Sequence, residues 1–213
     1  ASLQRQLSSA GVEVKTTEVM VATRPSRTVS SGFARGTEVG GDWAAGANNL
    51  TSSDTSALFA KYAIFASQSA DQTLYEFTAQ AGSGATEKVG YGLHFFASGD
   101  KSKASYGFGA SYLVWITRDP GYYRNDSTYI QLYGSYDDVT MVQMASVATN
   151  ERVTAANDVE VLYDKVNGEI VVTVNDTDYL VYDVPVVIRA GSKVAFRSLG
   201  GPVTFRNFMI KAE

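Results

Sequence analysis

The residues best suited to ligand chemistry lie in the middle of the chain, where aromatic side chains alternate with charged and amide groups. In the segment TYIQLYGSYDD, a strand that turns Ile130 and Leu132 inwards leaves residues 129, 131 and 133 on the opposite face. Just upstream, SYLVWITRDPGYYRND runs from a predicted strand into a Pro-Gly turn. We therefore predict a ligand-binding surface formed by Arg118, Asp119, Tyr122, Tyr123, Arg124, Tyr129, Gln131, Tyr133 and Asp137.

Aromatic rings beside guanidinium, carboxylate and amide groups are suited to carbohydrate recognition. The apolar C–H face of a pyranose stacks on a ring, while its hydroxyl groups pair with polar side chains. Because this surface mixes two arginines with two aspartates, we expect an extended, neutral or weakly charged ligand such as a polysaccharide. The alternative is that the tyrosines fill a β-sandwich core and cover its rim.

Few catalytic arrangements are compatible with the composition. The chain has no cysteine, which excludes thiol nucleophiles, zinc–thiolate sites and disulfides. His94 is the only histidine, and its alternation with apolar residues in GLHFF predicts a structural or surface role. The nearest paired carboxylates, Asp158 and Glu160 with Asp164, are expected on the solvated outer face of a strand.

We predict no cofactor and no nucleic-acid partner. Calcium is possible because Asp119, Asp126 and Asp137-Asp138 fall in predicted loops, although no calcium-loop motif occurs. The 18 Lys and Arg against 22 Asp and Glu give a net charge of −4, without a basic cluster interleaved with aromatics. No apolar run approaches the ~20 residues that span a bilayer, so we predict no membrane span.

The hydrophobic pattern has a period of two along most of the chain, which indicates an all-β protein. The predicted strands are 12–21, 57–65, 73–79, 89–96, 111–117, 129–133, 139–147, 159–163, 170–174, 179–184, 193–197 and 203–210. About a dozen strands at this spacing predict a two-sheet antiparallel β-sandwich with little helix, and only residues 1–10 could start a short helix.

We expect a single domain over residues 1–213, with an N-terminal arm (about residues 1–30) packed on it. The Gly-Ser-Thr stretch at 28–56 is the one candidate boundary between domains.

The final segment, GSKVAFRSLGGPVTFRNFMIKAE, predicts a hairpin that supplies edge and closing strands to two stacked sheets. Phe196 in its first strand, and Phe205 and Met209 in its second, are expected to face the core.

A longer pattern links this hairpin to the preceding strands. VEVLYD, a turn with glycine, EIVVTVND and YLVYD precede the closing GSKVAFRS and PVTFRNFMI. Over residues 155–211 this order resembles the C-terminal half of concanavalin A-like (laminin-G-like) jelly-roll domains. The resemblance implies a jelly-roll sandwich in a superfamily of lectins, glycan-cleaving enzymes, receptor modules and structural envelope domains. The E-x-D-x-x-E signature of its glucanases is missing.

Two functional hypotheses follow. The first is a non-catalytic β-sandwich module of a bacterial exported protein that binds carbohydrate or another cell-envelope component, or is a structural part of an extracytoplasmic assembly. The alternative is a glycan-active hydrolase with an atypical acid/base pair.

The low Lys and Arg content and the abundant Ser, Thr, Gly, Tyr and Asn predict an extracytoplasmic location, with an export signal presumed removed. The expected partner is a polysaccharide or an envelope protein.

Overall fold

The computed structural model describes residues 24–55, 59–69, 71–99, 105–184 and 191–213. The helix predicted at 1–10 and the strand predicted at 12–21 lie outside these residues. Within them the chain forms one short helix, α1 (Pro120–Tyr123), and fifteen strands. The strands are β1 (Thr28–Ser31), β2 (Thr37–Val39), β3 (Trp43–Ala45), β4 (Asn49–Ser52), β5 (Ala60–Phe65), β6 (Gln72–Ala81), β7 (Val89–Ala97), β8 (Ser111–Arg118), β9 (Thr128–Ser135), β10 (Met141–Thr149), β11 (Asn157–Asp164), β12 (Glu169–Val174), β13 (Thr177–Asp183), β14 (Lys193–Leu199) and β15 (Val203–Ala212).

The strands form two antiparallel sheets. The eight-stranded sheet has the order β13-β12-β11-β6-β15-β4-β3, and β1 also pairs with β15. The seven-stranded sheet has the order β10-β9-β8-β7-β14-β5-β2. The prediction of an all-β, two-sheet antiparallel sandwich with little helix is therefore confirmed. No helix in the described part of the chain is long and apolar enough to cross a membrane.

The apolar residues of the alternating strands form one core between the sheets. In β9, Ile130 and Leu132 are fully buried in this core, as their alternation predicts. In β11, Val159 and Val161 face the same core, while Asp158 is exposed on the outer side. Strand β7 is buried along its whole length, because both faces of the seven-stranded sheet are covered near its centre.

The segment 28–56 contains β1 to β4, which the sequence did not predict. Each of these strands has three or four residues, and most of their side chains are partly or fully exposed. Such short strands have too few buried positions to show a clear period of two. The segment lies along the margins of both sheets: β2 and β3 end their sheets and β1 pairs with β15.

The closing segment differs from the predicted hairpin. Strand β14 lies between β7 and β5, whereas β15 lies between β6 and β4 of the other sheet, so these two fully described strands do not pair. Phe196 and Phe205 are both fully buried and meet across the core with ring centroids 4.9 Å apart. Their predicted core positions are confirmed, but each strand is internal to its own sheet.

The predicted core position of Met209 is wrong. The register of β15 against β6 shifts between Arg206 and Met209, where Asn207 has a φ of 55°. This irregularity moves Phe208 into the core and leaves Met209 only half-buried, paired in register with Glu76. A one-residue shift exchanges the two faces of a strand, which explains the error.

Candidate ligand-binding site

A pocket of about 490 Å³ lies on the face of the seven-stranded sheet that is turned away from the core. We call it the aromatic pocket because six of its lining side chains carry aromatic rings. Its described lining consists of Phe59, Lys88, Tyr106, Trp115, Thr117, Asp119, Tyr122, Tyr123, Gln131, Tyr133, Val139, Met141, Arg197 and Leu199. A concave aromatic surface with a few polar groups is the usual form of a small-ligand site.

Trp115 takes its place in the pocket because the neighbouring strand has no side chain there. Trp115 in β8 is paired with Gly92 of β7 and with Gln131 of β9. A Cβ atom at Gly90, two residues from Gly92, would lie 2.3 Å from Cζ2 of the indole. The glycines of β7 therefore leave the space that the indole ring occupies.

Gln131 is the centre of a hydrogen-bond network beside the indole. Its amide nitrogen donates to the Tyr123 hydroxyl and to Gln143 Oε1 at 3.1 Å. The Tyr133 hydroxyl lies 3.0 Å from Gln131 Oε1 and from Gln143 Oε1. Burial raises the pKa of Tyr133 to about 12, so this hydroxyl remains a proton donor at neutral pH. The network fixes the rings of Tyr123 and Tyr133 in the pocket.

The helix α1 and its N-cap form one side of the pocket. Asp119 accepts a hydrogen bond from the Tyr122 amide at 3.1 Å. Its carboxylate also forms an ion pair with Lys88, with Nζ at 2.9 Å. Tyr122 is 76% exposed at the rim, while Tyr123 points towards Gln131. Tyr129 packs behind Tyr123 and supports it without lining the pocket itself.

Arg197 in β14 brings a buried positive charge to the pocket. Its guanidinium carbon lies 3.9 Å from the ring centroid of Phe59 and 4.8 Å from that of Trp115. Burial lowers the pKa of Arg197 to about 9, so the group is still charged at neutral pH. Among the described residues, no carboxylate lies within ion-pairing distance of it.

A second buried cation, Lys61 in β5, lies close to Arg197. Its ammonium group donates to the carbonyl oxygens of Phe59, at 3.1 Å, and Ser105. Burial, with a further contribution from the charge of Arg197, lowers the pKa of Lys61 to about 7, although Asp138 opposes the shift. The aromatic pocket therefore lies over two basic groups that are both largely removed from water, of which Arg197 is charged at neutral pH and Lys61 is charged only in part.

The structure brings together five of the predicted site residues in the pocket lining: Asp119, Tyr122, Tyr123, Gln131 and Tyr133. Arg118 instead pairs with Asp126 at 2.8 Å and lines a separate polar groove. Arg124 follows α1 in a left-handed conformation, with its amide bonded to Pro120 O. Asp137 accepts a hydrogen bond from Val139 N at 2.7 Å in the turn between β9 and β10. These three residues lie outside the described lining.

Sequence reasoning missed other lining residues, above all Arg197, Lys88 and Phe59. Arg197 lies in the apolar strand KVAFRSL, where a single charged residue between buried neighbours was the available signal. The position of β14 next to β7 could not be read from its sequence, because the pairing joins residues about a hundred positions apart. Trp115 lies in the quoted segment SYLVWITRDPGYYRND but was not part of the predicted site.

The histidine and the carboxylates that the sequence offered for catalysis lie outside the described lining of the aromatic pocket. His94 is fully buried beneath Phe108 and bonds Ser111 Oγ at 3.0 Å, and burial lowers its pKa well below the usual value. Asp158 and Glu160 belong to the eight-stranded sheet. Asp164 is not solvated as predicted: it is buried and accepts a hydrogen bond from Gln72 at 2.8 Å.

The acidic residues considered for calcium do not share a site, because each interacts with a different partner. Asp119 pairs with Lys88, Asp126 with Arg118, and Asp137 with backbone amides of its own turn. Over the residues that the structure describes, no three His, Cys, Asp or Glu side chains are grouped as a metal site would require.

Several solved structures share this architecture. Carbohydrate binding module CBM66 from Bacillus subtilis matches with a TM-score of 0.63 and 14% identity, over 88% of this chain and 100% of that module. The carbohydrate recognition domain of Emp46p, in its metal-free form, matches with a TM-score of 0.58 and 11% identity, over 84% and 88% of the two chains. A legume lectin-like domain from Entamoeba histolytica matches with a TM-score of 0.50 and 12% identity, over 82% and 87%.

The chain therefore has the concanavalin A-like jelly-roll fold, which confirms the resemblance found in residues 155–211. No protein-family profile and no curated protein sequence matches the chain. At 11 to 14% identity the structural likeness concerns the fold.

Proposed function

We propose that this protein is a non-catalytic carbohydrate-binding module and that the aromatic pocket is its binding site. The observation that carries the proposal is the pocket itself, in which Trp115, Tyr123 and Tyr133 surround the amide of Gln131. Rings offer stacking faces to a sugar, and amide, hydroxyl and carboxylate groups pair with its hydroxyls. The carbohydrate-binding and lectin-like names of the structural neighbours support this assignment.

The site favours binding over glycoside hydrolysis. A hydrolase of the common type needs two carboxyl groups that flank the scissile bond. Asp119 is the one carboxylate in the described lining, and it is engaged by Lys88 and by the amide of Tyr122. The alternating carboxylates of β11 lie on the other sheet, across the core from the pocket.

A glycan array followed by calorimetry tests the proposal. We expect the wild-type protein to bind at least one oligosaccharide family and the Trp115→Ala variant to lose that binding while keeping its cooperative thermal transition. Trp43→Ala, in β3 of the other sheet, is the matched control and should bind normally. Release of reducing sugar from a bound glycan would contradict the non-catalytic assignment, and failure to bind any glycan would contradict the binding assignment.

We also propose that the module belongs to a bacterial exported protein and acts at the cell envelope or outside the cell. The support is compositional: the chain has 18 Lys and Arg in 213 residues, and abundant Ser, Thr, Gly, Tyr and Asn. Fractionation of the source cells with immunodetection tests this location. Recovery of the protein from the cytoplasmic fraction would contradict it.

A further inference from the structure

We propose that the ligand of the aromatic pocket is an acidic carbohydrate, whose carboxylate or sulfate group pairs with the guanidinium of Arg197. This inference rests on the proposed carbohydrate-binding function and specifies its ligand class. It differs from the expectation of a neutral or weakly charged chain, because the two cations that line the pocket, Lys88 and Arg197, are not the arginines that the sequence indicated.

The first argument is that Arg197 is buried without a counter-ion among the described residues. The residue is only 3% exposed, although it lines the pocket. Within the same part of the chain its Nε has no hydrogen-bond partner, and its guanidinium makes a weak hydrogen bond from Nη1 to Met141 Sδ at 3.7 Å. Removal of a charged group from water is costly unless it is paired. An anionic ligand would supply the missing partner.

The second argument is the charge balance of the pocket. Its described lining contains two cations, Lys88 and Arg197, and one anion, Asp119. Lys88 and Asp119 form an ion pair at 2.9 Å, so within the described lining the charge of Arg197 is not compensated. Lys61, behind Phe59, adds only part of a positive charge at neutral pH, because its pKa is lowered to about 7. The resulting field favours a negative ligand group over a neutral one.

The third argument is the chemistry of the group and its setting. A guanidinium presents several donors in one plane, which matches the two oxygens of a carboxylate or the oxygens of a sulfate ester. The rings of Phe59 and Trp115 both pack against the guanidinium, which restricts its orientation before a ligand arrives. Tyr133 and Gln131 lie in the same pocket, where they can pair with the hydroxyls of the sugar that carries the anion.

Calorimetry with matched acidic and neutral oligosaccharides tests the inference. The probes are oligogalacturonate and its methyl ester for a carboxylate, and carrageenan oligosaccharides with and without sulfate for a sulfate ester. We expect one acidic form to bind at least about tenfold more tightly than its neutral partner at low salt, with the preference reduced at high salt. The carboxylate and sulfate pairs show which anion the pocket prefers.

Variants of Arg197 connect this preference to the proposed group. Arg197→Gln should abolish the preference, and Arg197→Lys should retain part of it because the charge remains but the planar fork is lost. Arg206→Gln, exposed on the other sheet, is the control and should keep the full preference. If Arg197→Gln fails to fold, the wild-type comparison and the Arg197→Lys variant still decide the question.

The outcomes separate the two proposals. Equal binding of acidic and neutral forms, or a preference that Arg197→Gln and Arg197→Lys leave unchanged, would overturn the acidic ligand while the carbohydrate-binding function stands. If neither the paired probes nor the glycan array gives any binding, the carbohydrate-binding function fails and the acidic ligand fails with it.

Discussion

The ring of Tyr123 lies flat against the ring of Tyr129, with centroids 3.6 Å apart and planes inclined by 15°. Tyr123 belongs to α1 and Tyr129 to β9, so the stack fastens the short helix to the sheet. The hydroxyl of Tyr129 also accepts a hydrogen bond from Asn125 at 3.0 Å. The position of Tyr123 in the aromatic pocket therefore depends on a residue outside the pocket lining.

Loss of this stack should weaken ligand binding indirectly. We expect Tyr129→Ala to reduce affinity by ~0.5–1.5 kcal/mol, because Tyr123 loses the ring against which it is held. Tyr129→Phe keeps the ring and loses the hydroxyl, so it should bind like the wild type. Calorimetry with the best array ligand measures the difference. Normal binding by Tyr129→Ala would show that Tyr123 is held by Gln131 alone.

Gly90→Ala should disturb the pocket without changing any residue that lines it. The added methyl group would meet the indole of Trp115 at 2.3 Å, so the ring must move. We expect weaker ligand binding and a changed tryptophan emission spectrum. Gly84→Ala is the control, since its Cβ would meet nothing closer than Pro202 Cδ at 3.4 Å. Unchanged affinity in Gly90→Ala would mean that the indole does not contact the ligand.

The phenylalanines that meet across the core should dominate the stability of the sandwich. Replacement of Phe196 or Phe205 by Ala opens a cavity between the sheets and should lower the free energy of unfolding by ~3–5 kcal/mol. Phe65→Ala, at a position 73% exposed, should cost less than ~1 kcal/mol. Urea unfolding measures all three values. Similar losses at Phe65 and Phe196 would contradict the assignment of the core.

The buried Lys61 should make stability depend on pH above neutrality. Its pKa is lowered from 10.5 to about 7 in the folded protein, so between these values the unfolded chain binds more protons. Unfolding free energy should therefore rise as pH increases from about 7 towards 9, below the pKa to which burial lowers Arg197. Lys61→Met should flatten this rise, which urea unfolding across the pH series measures. An equal slope in the variant would show that Lys61 is not the group responsible.

The extent to which the sequence predicted the structure depended on the range of the interactions involved. The alternation of Ile130 and Leu132 with Gln131 is local, and it correctly placed the two apolar residues in the core. Arg197 could not be assigned to the site in the same way, because its neighbours, Phe59 just before β5 and Trp115 in β8, lie far away in the sequence. The shift at Asn207 was misread for another reason: the consecutive polar residues Arg206 and Asn207 mark the extra residue, but whether the alternation resumes at Phe208 or Met209 depends on the pairing with β6.

Because β14 is an internal strand of one sheet and β15 an internal strand of the other, the last two strands of this sandwich in chain order lie inside both layers. A growing chain that has reached only β13 has neither Arg197 nor the strand that joins β7 to β5. Strands β7 to β10 can already pair with one another, but the edges of β7 and β5 that flank β14 are unpaired. The pocket therefore cannot form until residue 199 is available, and an incomplete chain exposes sheet edges that favour aggregation.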